Sequence, residues 1–165
     1  MRKNSNRFKR KNKRDYNCGG YALGTYDWFL PYSCSYSDEY LEDDVEKFWR
    51  ELGHDINDYN VMAERCINEM IYYFNGKLRE IKKVSDAKAD ERVVAFRFGA
   101  GDFHFMIKGR KGHQWHSKMG INNSIDTFSE EYVMSDPDWG NIYLSDTYLL
   151  AMSKWYYWFF YKILL

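Results

Sequence analysis

Apolar positions in the first half of the chain recur at helical spacing. Apolar residues at i, i+4, i+7, i+8 and i+11 predict an amphipathic helix over residues 38–52, with one apolar face formed by Leu41, Val45, Phe48, Trp49 and Leu52. A second helix is predicted over residues 57–75, and Cys66 lies in its apolar stripe, where we expect a free thiol buried in the core. A short helix is predicted over residues 18–27, after a loop.

The second half of the chain changes to the period of β-strands. β-branched and aromatic residues predict an edge strand over 77–84 and further strands over 92–98, 102–108, 113–118 and 142–152. Glycines between these segments mark turns and a hairpin. Helices followed by an antiparallel meander predict an α+β fold, in which N-terminal helices pack on a C-terminal antiparallel sheet.

The length and composition are those of one folded domain. The chain has 165 residues, of which 45% are hydrophobic, 29% charged and 19% aromatic. These values exclude a fully disordered chain, a collagen-like fibre and a small disulfide-rich scaffold.

Charge divides the chain into two parts. Its 24 basic and 24 acidic groups cancel, but residues 1–14 hold eight basic groups and no acid, which leaves 16 basic against 24 acidic groups afterwards, a net of −8. We expect a flexible basic arm over residues 1–14 and a single domain over residues 15–165. The arm is either a solvated tail or a contact for nucleic acid or an acidic protein. Its anion-binding residues would be Arg7, Lys9, Arg10, Lys11, Lys13 and Arg14.

Targeting and cofactor signals are weak. No apolar segment follows the basic start, and the aromatic segment 155–165 is too short to cross a membrane, so we expect a cytoplasmic protein. That aromatic C-terminus would complete the core or mediate homo-oligomerisation. Three irregularly spaced cysteines predict neither a disulfide framework nor a zinc site. Alternating faces argue against zinc on His104, His113 and His116, and we expect no metal and no other cofactor.

Cys18 is the first candidate for chemistry. It lies at the start of a predicted helix, where the helix dipole and free amides favour a thiolate, and Gly19 follows it without a side chain. A cysteine nucleophile needs a base within hydrogen-bond reach. In the strand over 102–108, His104 shares a face with Asp102, and we expect this face to look toward a helix N-terminus.

Three short motifs carry a family resemblance. They are Asn17-Cys18-Gly-Gly-Tyr-Ala-Leu23, Asp102-Phe-His104-Phe, and Gly112-His-Gln-Trp-His116-Ser-Lys118-Met-Gly120. Their order resembles the papain-like cysteine peptidase and amidase superfamily, with closer similarity to its compact NlpC-type amidases. The resemblance implies a papain-like domain that acts on a peptide or amide substrate.

The same resemblance implies roles for individual residues. Cys18 would be the nucleophile, His104 the general base, and His116 the residue that orients His104. Other candidates for the orienting role are Asp102, Gln114 and Asp126. The backbone amide of Cys18, with Asn17 or Tyr16 nearby, would bind the oxyanion.

Two classes of function stay open at this point. One is a cytosolic cysteine-dependent amide hydrolase or acyl-transfer protein that works through a Cys18–His104 dyad. The alternative is a non-catalytic binding protein of a phage or mobile element, whose basic arm contacts nucleic acid or a ribonucleoprotein host factor. In that alternative, Cys18 and His104 are structural residues of the core.

Overall fold

The computed structural model describes residues 15–29, 53, 58–99, 102–110, 112–120, 122–140 and 143–153. The helices of these segments are α1 (Cys18–Leu23), α2 (Tyr59–Tyr73) and α3 (Glu130–Ser135). The strands are β1 (Leu78–Ile81), β2 (Glu91–Gly99), β3 (Asp102–Lys108), β4 (Gln114–Lys118), β5 (Ile125–Ser129) and β6 (Tyr148–Ser153). The basic arm, the predicted helix over 38–52 and the aromatic segment 155–165 lie outside the described residues.

The six strands form one antiparallel sheet in the order β1-β6-β2-β3-β4-β5. Helices packed on this sheet confirm the α+β class. The meander holds from β2 to β5, but β6 returns to lie between β1 and β2. The consecutive apolar residues Leu149–Met152 explain this central position, because a strand buried on both faces needs no alternation.

Two elements were not predicted from the sequence. The edge strand β5 is mostly polar, so its alternation is weak. It leads directly into α3, whose N-cap Ser129 accepts a hydrogen bond from the Tyr132 amide at 3.1 Å. The predicted strand over 142–152 begins later, at Tyr148, because the preceding loop is held to β2 by the Ser145 amide, which donates to Phe98 O at 2.9 Å.

Apolar side chains fill both faces of the sheet. On one face α1 and α2 pack against β2 and β3, including Phe103 and Phe105. On the other face Met106 and Trp115 pack against Val133 of α3 and the segment around Trp139. The strand β3 is therefore buried on both sides, including the face that carries His104.

Helix α1 is fixed by its cap and its glycines. The Asn17 side chain accepts hydrogen bonds from the amides of Gly20 at 3.0 Å and Phe29 at 3.1 Å, and it donates to Phe29 O at 2.7 Å. A Cβ atom on Gly20 would lie 1.9 Å from Asp27 O, so the returning loop requires glycine there. The helix ends before residue 27 because Gly24 adopts a left-handed conformation, with φ of +72°.

Helix α2 presents the predicted apolar stripe to the sheet. Its N-cap is Asp58, whose carboxylate accepts a hydrogen bond from the Val61 amide at 3.1 Å. Cys66 lies in the buried stripe as expected, but it is disulfide-bonded. The prediction of a free thiol at Cys66 is therefore wrong. In the described segments, none of the helices has the length and apolar character that a membrane crossing requires.

Candidate active site

The thiol of Cys18 lies at the first residue of α1, in the core between α1 and the sheet. The residue is 6% exposed. Burial raises the pKa of this thiol to about 12, although hydrogen bonds from the backbone amides of Phe105, Gly19 and Cys18 itself act in the opposite direction. The expectation of a thiolate is therefore wrong for this structure, because desolvation outweighs the amides of the short helix.

The imidazole of His104 is buried among aromatic rings. The residue is 3% exposed, and its ring stacks on Tyr143 at a centroid distance of 5.2 Å, with the edge of Trp139 at 6.1 Å. Burial lowers the pKa of His104 to about 4. The imidazole is therefore neutral at physiological pH, which is the form that a general base requires.

A serine that was not among the predicted site residues holds this imidazole. The Oγ atom of Ser117 lies 2.5 Å from His104 Nε2, and Ser117 Oγ donates a hydrogen bond to Phe105 O at 3.3 Å. A hydroxyl has one proton, so Ser117 accepts from Nε2 when it donates to Phe105. This assigns the His104 proton to Nε2 and leaves the lone pair on Nδ1.

The backbone of Phe105 connects the thiol to the imidazole. The ladder between β3 and β4 pairs Lys108 with Trp115 and Ile107 with His116, so it stops short of Phe105. The backbone N–H of Phe105 lowers the pKa of the Cys18 thiol, so it lies beside the sulfur, and the Phe105 carbonyl accepts a hydrogen bond from Ser117. The backbone of Phe105 therefore interacts both with Cys18 and with the residue that holds His104.

The thiol and the imidazole approach β3 from opposite faces. Helix α1 packs on the Phe105 side, where a Cβ atom on Gly19 would lie 3.2 Å from the Phe105 ring. The His104 ring lies on the other side, against Tyr143. The expectation that the His104 face looks toward a helix N-terminus is wrong, and the imidazole makes its hydrogen bond to Ser117 and not to Cys18.

Asp102 and Tyr143 complete the surroundings of the pair. The Tyr143 hydroxyl donates to Asp102 Oδ2 at 3.3 Å, and the other carboxylate oxygen accepts from the Phe103 amide at 2.7 Å. The charge of Asp102 contributes to the raised pKa of the Cys18 thiol. Asp102 therefore lies beside the site, but its carboxylate is bonded to other groups than the imidazole.

The other residues considered for orienting His104 lie elsewhere. His116 is on the opposite face of β4 from Ser117, and its Nδ1 lies 3.3 Å from Thr127 Oγ1 on β5. Gln114 is exposed at the start of β4, and Asp126 is exposed on β5. The contact with Ser117 corrects the assignment of this role to His116.

The structure also distinguishes among the oxyanion candidates. The Asn17 amide is bonded to Phe29 and Gly20. The Tyr16 ring packs against Tyr21 and lies beneath the Lys118 ammonium group. The backbone N–H groups of Cys18 and Gly19 lower the pKa of the thiol, so these two donors lie near the sulfur, where an oxyanion would need them.

In the described part of the chain, no group of three or more His, Cys, Asp or Glu side chains could hold a metal ion.

Comparison with known proteins identifies a family but no activity. No curated protein matches the chain, and no solved structure matches it. A family model described as "Domain of unknown function (DUF7689)" matches residues 7–145. Because this match spans most of the chain, the protein belongs to that family.

Proposed function

We propose that the protein is a cysteine-dependent amide hydrolase or acyl-transfer enzyme with a papain-like arrangement of residues. Cys18 is the nucleophile, His104 is the general base, and Ser117 orients the imidazole. The observation that carries the proposal is the position of the Phe105 backbone: its N–H lowers the pKa of the Cys18 thiol, and its carbonyl accepts from the Ser117 hydroxyl, which holds His104.

The protonation states define how the first step runs. The neutral thiol attacks the carbonyl carbon of the amide while its proton passes to Nδ1 of His104. The bond from Sγ to carbon forms, the carbonyl π bond opens, and the oxyanion accepts hydrogen bonds from the Cys18 and Gly19 amides. This proton transfer requires Sγ and Nδ1 to come within hydrogen-bond distance of each other in the substrate complex.

The remaining steps return the enzyme to its resting state. The tetrahedral intermediate collapses as His104 protonates the leaving amine, which breaks the carbon–nitrogen bond and leaves a thioester on Cys18. His104 then takes a proton from water or an acceptor amine, which attacks the thioester. Release of the acid or new amide restores the thiol and the neutral imidazole.

This mechanism differs from that of an enzyme with a preformed thiolate–imidazolium pair. The pKa of Cys18 lies far above the pKa of His104, so the pair rests in its neutral form. The nucleophile is therefore generated only as the carbonyl carbon is attacked. Ser117 supports this step because its contact keeps the Nδ1 lone pair unprotonated.

Acylation of Cys18 by an aryl ester tests the proposal. The intact protein is incubated with p-nitrophenyl acetate, and acetylation of the Cys18 peptide is followed by mass spectrometry. Replacing His104 by Ala should slow acetylation by about 100-fold or more, the usual effect of losing a general base. His113→Ala is the matched control, because His113 is exposed and its Nδ1 pairs with Glu130 at 3.0 Å. Equal rates in the wild type and the His104 variant would contradict the proposal.

Charge asymmetry favours a second candidate function. Residues 1–14 carry eight basic groups and no acid, so the chain could bind nucleic acid without chemistry. Deletion of residues 1–14 should then weaken binding to a duplex and flatten its dependence on salt concentration. Binding that is absent, or that does not change with salt in the full-length protein, would contradict this candidate.

A further inference from the structure

A cavity of about 460 Å³ opens at the end of β3 that lies away from Asp102. Its walls include Tyr21 of α1, Arg92 of β2, Arg110 after β3 and His116 of β4. Ile107 also lines the cavity and lies two residues beyond Phe105, which is about 7 Å along an extended strand. Tyr21 and Ile107 line the cavity from the α1 face of the sheet, whereas Val84 and Val93 line it from the opposite face.

Basic side chains outnumber acidic ones around this cavity. The lining includes Arg92, Lys108, Arg110 and His116, against the single acid Glu91. The charge of Glu91 is already matched by Arg79, whose guanidinium donates to both carboxylate oxygens at 2.9 and 2.7 Å. The single acidic residue of the lining is therefore already paired.

The basic groups of the lining differ in whether they already form an ion pair with an acidic residue. Lys108 pairs with Glu130 at 2.9 Å, so its charge is largely satisfied. Arg110 forms no ion pair with any acidic residue that the structure describes. Since residues 15–165 carry a net charge of −8, a cavity with unmatched positive charge stands out from the rest of this domain.

Histidine and tyrosine add directional donors. A Cβ atom on Gly109 would lie 3.0 Å from His116 Nε2, so the absence of a side chain at this position leaves that nitrogen uncovered at the cavity wall. Tyr21 is half-buried, and burial raises the pKa of its phenol. The nearby charge of Arg92 acts in the opposite direction, with a smaller effect. An arginine, an imidazole and a phenol around one space are suited to an anion.

We propose that this cavity binds the carboxylate or phosphate group of an acidic substrate and that Arg110 and His116 are its specificity-determining residues. The assignment of the anion to a substrate rests on the hydrolase function proposed above, whereas anion binding itself does not. The anionic group would lie beside Tyr21, three residues along α1 from Cys18. His116 thus acts in substrate recognition instead of orienting His104.

Titration with two simple anions tests the proposal. The full-length Cys18→Ala protein, labelled with ¹⁵N, is titrated with inorganic phosphate and separately with acetate at constant ionic strength. We expect saturable amide shifts at Tyr21, Arg110 and His116 with a common Kd. Arg110→Gln and His116→Gln should each weaken that Kd at least fivefold, whereas His113→Gln should leave it unchanged.

Each outcome bears on the proposal. Saturation by phosphate alone identifies a phosphate-bearing ligand, saturation by acetate alone identifies a carboxylate, and saturation by both supports the shared chemistry. The proposal is overturned if neither anion gives saturable shifts at these residues, or if the Arg110 variant binds as tightly as the parent. Because the titration omits the thiol, its failure is independent of the acylation result for Cys18.

Discussion

His104 Nε2 lies 2.5 Å from the hydroxyl oxygen of Ser117, which is on the neighbouring strand. This contact fixes the ring within a sheet that is buried on both faces, and it assigns the imidazole proton to Nε2 because Ser117 donates its own proton to Phe105 O. The pair explains how a histidine with few polar neighbours keeps one defined tautomer. It also makes Ser117 a positioning residue whose removal has specific consequences.

Replacing Ser117 by Ala should lower the acylation rate of Cys18 by about tenfold, which corresponds to the loss of one hydrogen bond of about 1.4 kcal/mol. It should also lower the free energy of unfolding by about 1–3 kcal/mol, because Nε2–H would be buried without a partner. The ¹⁵N shifts of His104 should report a mixture of tautomers. Ser135→Ala, at an exposed helix end, is the control. An unchanged ¹⁵N spectrum in the Ser117 variant would contradict the assignment.

Burial of His104 should make the protein less stable in acid. Because burial lowers the pKa of His104 from 6.5 to about 4, the unfolded chain binds a proton that the folded protein does not between these pH values. The contribution of the neutral His104 to the free energy of unfolding is therefore fully present above pH 6.5. This contribution falls by about 3 kcal/mol as the pH decreases toward 4. Urea unfolding at several pH values measures the loss. His104→Gln should remove this part of the pH dependence, and an unaltered dependence would argue against a buried neutral imidazole.

Cys18 should react slowly with iodoacetamide in the folded protein. Burial raises the pKa of its thiol to about 12, so the thiolate fraction at pH 7 is far below that of an ordinary cysteine. We expect alkylation of the Cys18 peptide at pH 7 to be at least about 100-fold slower than that of free cysteine. Urea-unfolded protein provides the control. Rapid alkylation at pH 7 would show that the resting thiol is ionised.

Gly20→Ala should destabilise the protein through the loop that follows α1. A Cβ atom there would lie 1.9 Å from the backbone oxygen of Asp27, and backbone cannot move aside as a flexible side chain can. We expect a loss of about 3 kcal/mol in the free energy of unfolding. Gly112→Ala is the comparison, because it meets no atom within 4 Å and carries only the strain of a φ of +69°. Equal losses of unfolding free energy in the two variants would mean that the Asp27 backbone oxygen does not exclude a side chain at residue 20.

Periodicity was enough to predict most of the described elements. The helical stripe around Met70 and the alternation around Phe105 predicted α2 and β3 because each element buries a regular set of side chains. The central position of β6 could not be predicted, because strand order depends on contacts far apart in sequence. The Cys66 disulfide is a contact of the same kind.

The candidate site could be predicted only in part. The motifs made Cys18 and His104 candidates, and the family resemblance implied His116 as the orienting residue, but the strand register that decides which face His116 occupies could not be predicted. The register pairs Ile107 with His116, which turns His116 to the other face and brings Ser117 to His104. The neutral state of the Cys18 thiol could not be predicted either, because it results from burial. The sequence around a helix start does not reveal how deeply a residue is buried.

The pH dependence of Cys18 acetylation by p-nitrophenyl acetate tests the central claim most directly. If neutral His104 removes the thiol proton during attack, the rate should be nearly constant between about pH 6 and pH 9, because this range lies above the pKa of His104 and below that of Cys18. His104→Ala should convert this plateau into a tenfold rise per pH unit, as for an unassisted thiol. A tenfold rise per pH unit in the wild type, matching the His104 variant, would contradict the account.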